Sequence, residues 1–104
     1  MIIEMRTYTI QIGKMGQFLE YYAAQGLPVQ ERILGNLLGY FTSDVGELNQ
    51  ALQFWGYENY GDRESRRAKL AQDPEWLNYL KTSPPVILKQ ENRILLPAAF
   101  SPIK

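Results

Sequence analysis

The stretch IIEMRTYTIQ, residues 2–11, decides how the fold begins. It is rich in β-branched and aromatic residues and is followed by Gly13, so it predicts a β-strand. Successive side chains of a strand point to opposite faces of its sheet. Ile3, Met5, Thr7 and Thr9 therefore share one face, and Glu4, Arg6 and Tyr8 share the other. The first set is the more apolar, and we expect it to face the core.

A helical half and a hairpin follow this strand. Apolar residues recur at three- and four-residue spacing from Lys14 to about Gln25, which predicts an amphipathic helix that ends near Gly26 and Pro28. A shorter helical piece is expected over residues 29–34. Two strand-like runs, residues 37–45 and 51–58, are joined by a short turn and predict a β-hairpin.

The last third of the chain predicts a second helical half and a final strand. Asp62 is a candidate N-cap for a helix that ends near Gln72. Asp73 followed by Pro74 is the favoured start of another helix, with an acidic cap and proline in the first turn. Residues 86–96 are apolar at both ends and predict a strand.

The order strand, helix, strand, strand, helix, strand is that of the ferredoxin-like βαββαβ motif. It predicts an α+β fold in one domain, residues 1–104, with a four-stranded antiparallel sheet. Helices cover only one face of such a sheet. The other face must meet water, a ligand or another chain.

The composition excludes several classes of function. The chain has 104 residues, no cysteine, no histidine and eleven residues of each charge sign. Thiolate chemistry, disulfides and the usual zinc and haem ligands are therefore absent, and no metal or cofactor is expected. A formal net charge of zero argues against nucleic-acid binding, and the signature aromatic motif of RNA-recognition domains is missing. No apolar run reaches membrane-spanning length and the start does not resemble a signal peptide, so we expect no integral membrane association and a cytoplasmic location.

The candidate site follows from the alternation along the third β segment. Leu52, Phe54 and Gly56 suit the core. The alternate residues Ala51, Gln53, Trp55 and Tyr57 would then face outward, beside Glu4, Arg6 and Tyr8 of the first strand. The expected ligand-binding residues on that open face are Arg6, Tyr8, Gln53, Trp55 and Tyr57. They could form a pocket for a small, anionic, partly aromatic molecule, or they could form the interface of a symmetric dimer. The two interpretations are compatible with each other. Glu4 and Arg6 should pair with each other, with Glu91 and Arg93, or with a ligand.

The helix after Asp62 carries the main basic cluster of the chain. Its members are Arg63, Arg66, Arg67 and Lys69. A phosphate or acidic-partner site is one interpretation. A solvated helix face is the one we favour, because nearby acidic residues offset the positive charge.

Several short motifs make the chain resemble the NIPSNAP family of the dimeric α+β barrel superfamily over nearly its full length. The residues that carry the resemblance are Glu4-Met5-Arg6-Thr7-Tyr8-Thr9, Gly39-Tyr40-Phe41 with Gly46, Asn49 and Gln50, Trp55-Gly56-Tyr57, Arg63 with Arg67, Asp73-Pro74-Glu75-Trp76, and Gln90-Glu91-Asn92. The resemblance implies a homodimer whose two sheets close into a barrel, with a cavity on the sheet face and no agreed chemistry. Similar family members often carry histidine where this chain has Gln53.

Two functions are compatible with that resemblance. One is a homodimer that binds a small molecule or a partner without catalysis. The other is a cofactor-independent enzyme, monooxygenase- or isomerase-like, that uses the same cavity. In the enzyme, Glu4 or Glu91 would act as a base with a pKa raised by burial, and Arg6, Tyr8 or Tyr57 would stabilise the developing negative charge.

Overall fold

The computed structural model describes all residues from Met1 to Lys104, and the predicted order of strands and helices is confirmed. The second helical half is divided into two helices, whereas the first consists of two α-helices joined without a break by a π-helical segment. The segments are β1 (Ile2–Ile10), α1 (Met15–Tyr21), a π-helical segment (Tyr22–Gly26), α2 (Leu27–Leu34), β2 (Leu37–Thr42), β3 (Gln50–Tyr57), α3 (Tyr60–Gln72), α4 (Pro74–Thr82) and β4 (Ile87–Leu95).

The four strands form one antiparallel sheet in the order β2-β3-β1-β4. The chain thus has the predicted ferredoxin-like α+β topology, with β1 and β3 paired at the centre. The helices lie on one side of this sheet, which we call the covered face, and the other side is the open face. None of the helices combines the length and the apolar character that a membrane crossing needs.

The first helical half continues where a break was predicted. The helix was predicted to end near Gly26, but α1 continues through the π-helical segment directly into α2. Pro28 lies in the first turn of α2, where its fixed φ suits the helical backbone. Gly26 is needed for close packing, because a β-carbon there would lie 2.8 Å from Tyr22 Cδ1 and 2.8 Å from Tyr79 Cζ.

The second helical half begins one turn earlier than predicted. Asn59, and not Asp62, caps α3, since its Oδ1 accepts the backbone N–H of Asp62 at 2.8 Å. The cap of α4 is the predicted one: Asp73 Oδ1 accepts the N–H groups of Glu75 at 2.9 Å and Trp76 at 3.1 Å.

The prediction that Trp55 and Tyr57 lie on the open face is wrong. Trp55 is fully buried and Tyr57 is 2% exposed, and both pack beneath the helices. The core forms two clusters on the covered face: Ile2, Val29, Leu34, Trp55, Tyr57 and Leu70 in one, and Ile10, Phe18, Tyr22, Ala51, Tyr79 and Val86 in the other.

The error has a physical cause. Both faces of the sheet carry apolar residues, so alternation by itself does not say which face the helices cover. The covered face also contains Glu4 and Arg6, which were expected to avoid the core but are buried as an ion pair. Ile2 and Ile10, at the two ends of β1, share the face of Glu4 and are both buried.

Candidate functional site

A buried carboxylate organises the polar part of the covered face. Glu4 on β1 is fully buried, and its Oε2 accepts three hydrogen bonds. The donors are Arg6 Nη1 at 3.1 Å, Arg63 Nη2 at 2.7 Å and Asn92 Nδ2 at 2.9 Å. Of the three pairings expected for Glu4 and Arg6, the one with each other is observed. Glu91 and Arg93 lie on the open face by register, opposite Thr7 and Met5.

Helix α3 supplies two positive charges to this site, at residues that were predicted to lie on a solvated helix face. Arg63, Arg67 and Leu70 lie at spacings of four and three residues, and thus on one side of the helix. Leu70 is buried in the core, so this side faces the sheet and carries both arginines inward. The solvated interpretation is wrong for Arg63 and Arg67, whose inward direction the spacing to Leu70 could have indicated.

Arg66, by contrast, lies outside this group. Its Nε donates to Asp62 Oδ1 at 2.8 Å, and its Nη1 donates to the carbonyls of Ile33 and Leu34 at the end of α2. Its role is therefore structural.

We call Glu4, Arg6, Tyr57, Arg63, Arg67 and Asn92 the arginine cluster. Four of its polar atoms are buried without a hydrogen-bond partner: Glu4 Oε1, Tyr57 Oη, Arg63 Nε and Arg67 Nη1. Buried polar atoms are nearly always paired, because leaving one unpaired costs about 1–3 kcal/mol. Four such atoms belong to this one cluster, which makes the arginine cluster the candidate binding site of the structure.

The arginine cluster contains more positive than negative side chains, and these charges shift the pKa values of its members. Burial by itself would raise the pKa of Glu4, but hydrogen bonds from Arg63 and Asn92 and the charges of Arg6 and Arg63 outweigh it and lower this pKa to about 2. Burial and the charge of Arg6 lower the pKa of Arg67. Burial, followed by the charge of Glu4, raises the pKa of Tyr57.

The low pKa of Glu4 removes the basis for one predicted mechanism. A general base works best with a pKa near the operating pH. Glu4 was expected to have a raised pKa, and its surroundings lower it instead. Glu91 is half exposed on the open face, where its carboxylate lies 3.5 Å from Lys89 Nζ. Glu4 is buried but paired with two arginines through its Oε2, and Glu91 is exposed, so neither carboxylate has the setting that the predicted base requires.

A row of aromatic and amide side chains continues from the cluster. Arg6 Nε donates to Tyr8 Oη at 3.3 Å, and the guanidinium carbon lies 5.6 Å from the centre of the Tyr8 ring. Trp55 Nε1 donates to Gln53 Oε1 at 2.6 Å, and Gln53 Nε2 donates to Tyr40 Oη at 3.5 Å. These polar contacts thus extend into the interior that the two apolar clusters also occupy.

A further tyrosine lies above this row. The Tyr22 hydroxyl donates to Gln30 Oε1, and its ring lies 5.1 Å from that of Tyr40. Burial raises the pKa of both tyrosines, so both hydroxyls stay protonated at neutral pH.

The strand β4 is the least buried strand of the sheet. Every residue of β4 from Ile87 to Arg93 is exposed, whereas β1 and β3 are largely covered. The side chains of Arg6 and Arg63 keep 12% and 23% of their surface exposed, so solvent reaches part of the arginine cluster.

The five predicted site residues lie together, but on the covered face. Arg6, Tyr8, Gln53, Trp55 and Tyr57 all have side chains between the sheet and the helices. Arg6 and Tyr57 belong to the arginine cluster, while Tyr8 and Gln53 belong to the aromatic row. Trp55 is a core residue whose only polar atom is satisfied by Gln53.

The sheet order and the one-sided helical layer define a ferredoxin-like α+β fold. The NIPSNAP family model matches residues 3–102. The chain belongs to the NIPSNAP family, as its sequence motifs predicted. It is 31% identical to Protein NipSnap homolog 2 from Danio rerio over 104 residues, which are 99% of this chain and 35% of that protein. The chain thus spans about a third of the length of that curated relative.

Solved structures agree with this assignment. A NIPSNAP family protein from Agrobacterium tumefaciens has a TM-score of 0.96 and 45% identity, covering 99% of this chain and 98% of that chain. An uncharacterized NIPSNAP domain protein from Burkholderia xenovorans has a TM-score of 0.94 and 39% identity, covering 98% of this chain and 99% of that chain. A putative antibiotic biosynthesis monooxygenase from Nitrosomonas europaea has a TM-score of 0.66 at 11% identity and covers 93% of this chain and 98% of that chain, so this likeness concerns the fold alone.

Proposed function

We propose that residues 1–104 form a single NIPSNAP-like domain that assembles into a homodimer and binds a small molecule between its sheet and its helices. The observation that carries the binding function is the set of four buried, unpartnered polar atoms in the arginine cluster. The binding position differs from the open-face cavity that the sequence suggested. The open face has the other role, that of the dimer interface.

The open face has the composition of a buried surface. Its exposed apolar area centres on Phe41, which is 57% exposed and whose ring packs edge-on against Phe54 at 5.8 Å. The neighbouring apolar residues on this face are Ile3, Met5, Leu38, Leu52 and Leu95. A contiguous apolar surface of this kind is typical of an interaction site.

The charges around this apolar area favour a second copy of the chain as its occupant. Lys89, Glu91 and Arg93 follow one another along the open side of β4, and Glu47 lies nearby. Acidic and basic groups occur in equal number, so the face can be complementary to itself across a two-fold axis. A nucleic acid or an anionic membrane would favour an excess of positive charge.

The dimer is tested with two variants matched in exposure. Phe41→Glu places a charge on the open face, and Leu80→Glu places one on α4 at a residue that is 52% exposed. We expect the wild-type protein and Leu80→Glu to sediment as dimers, at twice the 12.0 kDa of one chain, and Phe41→Glu to sediment as a monomer. A monomeric wild type, or a Phe41→Glu dimer as tight as the wild type, would refute the proposed interface.

Ligand binding is tested with two measurements that do not require the ligand to be identified. Native mass spectrometry of the purified protein detects retained molecules, and a thermal-shift screen with anionic, neutral and cationic compounds detects those that stabilise the folded chain. We expect at least one class of compound to raise the melting temperature and to bind once per chain. A protein that carries nothing and responds to no class would contradict the binding function.

The proposed function also includes a cellular location and a lack of affinity for nucleic acid. We propose a cytoplasmic protein, and cell fractionation tests this location. A filter-binding assay with single-stranded RNA tests the lack of affinity for nucleic acid, and retention of RNA at physiological salt would contradict it.

A further inference from the structure

The arginine cluster has an excess of positive charge that no residue of the chain neutralises. Three guanidinium groups, those of Arg6, Arg63 and Arg67, are influenced by one carboxylate, that of Glu4, and only Arg6 and Arg63 form ion pairs with it. Arg6 and Arg63 both donate to the same oxygen, Glu4 Oε2. Two positive charges therefore remain uncompensated in a part of the molecule that is largely shielded from water.

Arg67 is the residue in which this excess is most apparent. Its Nη1 is buried and has no partner, and burial together with the charge of Arg6 disfavours its protonated form. A guanidinium that is partly buried without a counter-ion is costly, because the desolvation of the charge is not repaid. Folded proteins tolerate such a cost mainly where function requires it.

Two further unpartnered donors belong to the arginine cluster. The Tyr57 hydroxyl is buried and unpartnered. The charge of Glu4 acts to raise its pKa, and the charges of Arg67, Arg63 and Arg6 act to lower it. Arg63 Nε is likewise unsatisfied, although its Nη2 holds Glu4. Two guanidinium N–H groups and a phenolic O–H are the donors that bind oxyanions well, since arginine presents a planar fork to carboxylate and phosphate oxygens.

On this basis, which rests on the proposed ligand-binding function, we propose that the ligand is a small acid whose carboxylate or phosphate group is held by Arg67, Arg63 Nε and Tyr57. Glu4 does not bind the anion. Its Oε2 fixes Arg6 and Arg63, and it keeps the total charge low enough for the cluster to be buried before the ligand arrives. The anion enters past the partly exposed Arg6 and Arg63.

The experiment uses three probes and two matched variants. The probes are benzoate, its neutral analogue benzamide, and inorganic phosphate. Arg67→Met removes the charge while keeping an unbranched side chain, and Lys69→Gln removes an exposed positive charge from the same helix. Melting temperatures and titration calorimetry measure binding, and circular dichroism measures folding.

We expect benzoate or phosphate to stabilise the wild-type protein and Lys69→Gln equally, and benzamide to stabilise neither. Arg67→Met should bind the anion at least about tenfold more weakly, because a charged hydrogen bond is lost. Without any probe, Arg67→Met should melt at a higher temperature than the wild type, since the uncompensated buried charge is gone. A role of Arg67 in packing alone would lower the melting temperature instead.

Three results would overturn the inference. Anions that stabilise Arg67→Met as strongly as the wild type would place their binding elsewhere. Benzamide that binds as tightly as benzoate would leave the small-molecule function standing but remove the anion preference. If Arg67→Met does not fold, Tyr57→Phe, which removes only the unpartnered oxygen, must still weaken anion binding, and unchanged affinity in that variant would refute the proposal.

Discussion

Glu4→Gln tests whether the buried carboxylate is held by its arginines in the folded protein. The folded-state pKa of Glu4 is about 2, compared with an ordinary value of 4.5. One pKa unit corresponds to about 1.4 kcal/mol, so ionised Glu4 contributes about 3 kcal/mol to the free energy of unfolding. Because the folded pKa is the lower one, this contribution is complete above pH 4.5 and is lost as the pH falls toward 2.

The assay is urea unfolding of the wild type and Glu4→Gln at several values between pH 7 and pH 3. Glutamine at this position does not titrate, so the stability difference between the two proteins isolates the Glu4 contribution. By the same relation, about 2 kcal/mol of that difference should disappear by pH 3. Glu91→Gln, which removes an exposed carboxylate on the open face, is the control, and its difference from the wild type should change by less than about 0.5 kcal/mol.

A stability difference between wild type and Glu4→Gln that stays constant from pH 7 to pH 3 would refute the reasoning. It would mean that Glu4 has the same proton affinity in the folded and unfolded chain. The three hydrogen bonds to its Oε2 would then contribute nothing to holding the carboxylate ionised.

Two further predictions concern the helices that cover the site. Gly26→Ala should lower the free energy of unfolding by about 1–3 kcal/mol, because its β-carbon would lie 2.8 Å from the rings of Tyr22 and Tyr79, and overpacking costs that much. Gly16→Ala, with nothing within 4 Å of its β-carbon, should instead raise the free energy of unfolding by about 0.5–1 kcal/mol through helix propensity. Equal changes in the free energy of unfolding of the two variants, measured by urea unfolding, would contradict both predictions. Asn59→Ala should cost about 1 kcal/mol by removing the cap of α3, and an unchanged denaturation midpoint would show that the cap hydrogen bond contributes nothing.

Local patterns were sufficient to predict the elements of the fold. The β-branched run of residues 2–11, the capping acid Asp73 before Pro74, and the hairpin pattern of residues 37–58 all act through neighbouring residues. Their order restricts the topology to very few arrangements. The exception is the region around Gly26, where a glycine and a proline predicted a break and tertiary contacts with Tyr79 accompany a continuous helix.

The members of the candidate site were also predictable in part. The sequence singled out Arg6, Tyr8, Gln53, Trp55 and Tyr57, and these residues do lie together. Their face was assigned wrongly, because an apolar open face and an apolar core produce the same alternation. Arg63 was interpreted as a surface residue, since its partner Glu4 is 59 positions away in the chain and no local pattern connects the two.

The sequence alone therefore determined the α+β topology, the NIPSNAP family and the residues of one sheet face, because propensity, periodicity and short motifs depend on residues close in the chain. The tertiary structure decided which face the helices cover and how α3 brings Arg63 and Arg67 over Glu4. The physical reason is that burial of a charged group depends on whether partners from distant segments can neutralise and hydrogen-bond it, and those partners meet only in the folded chain.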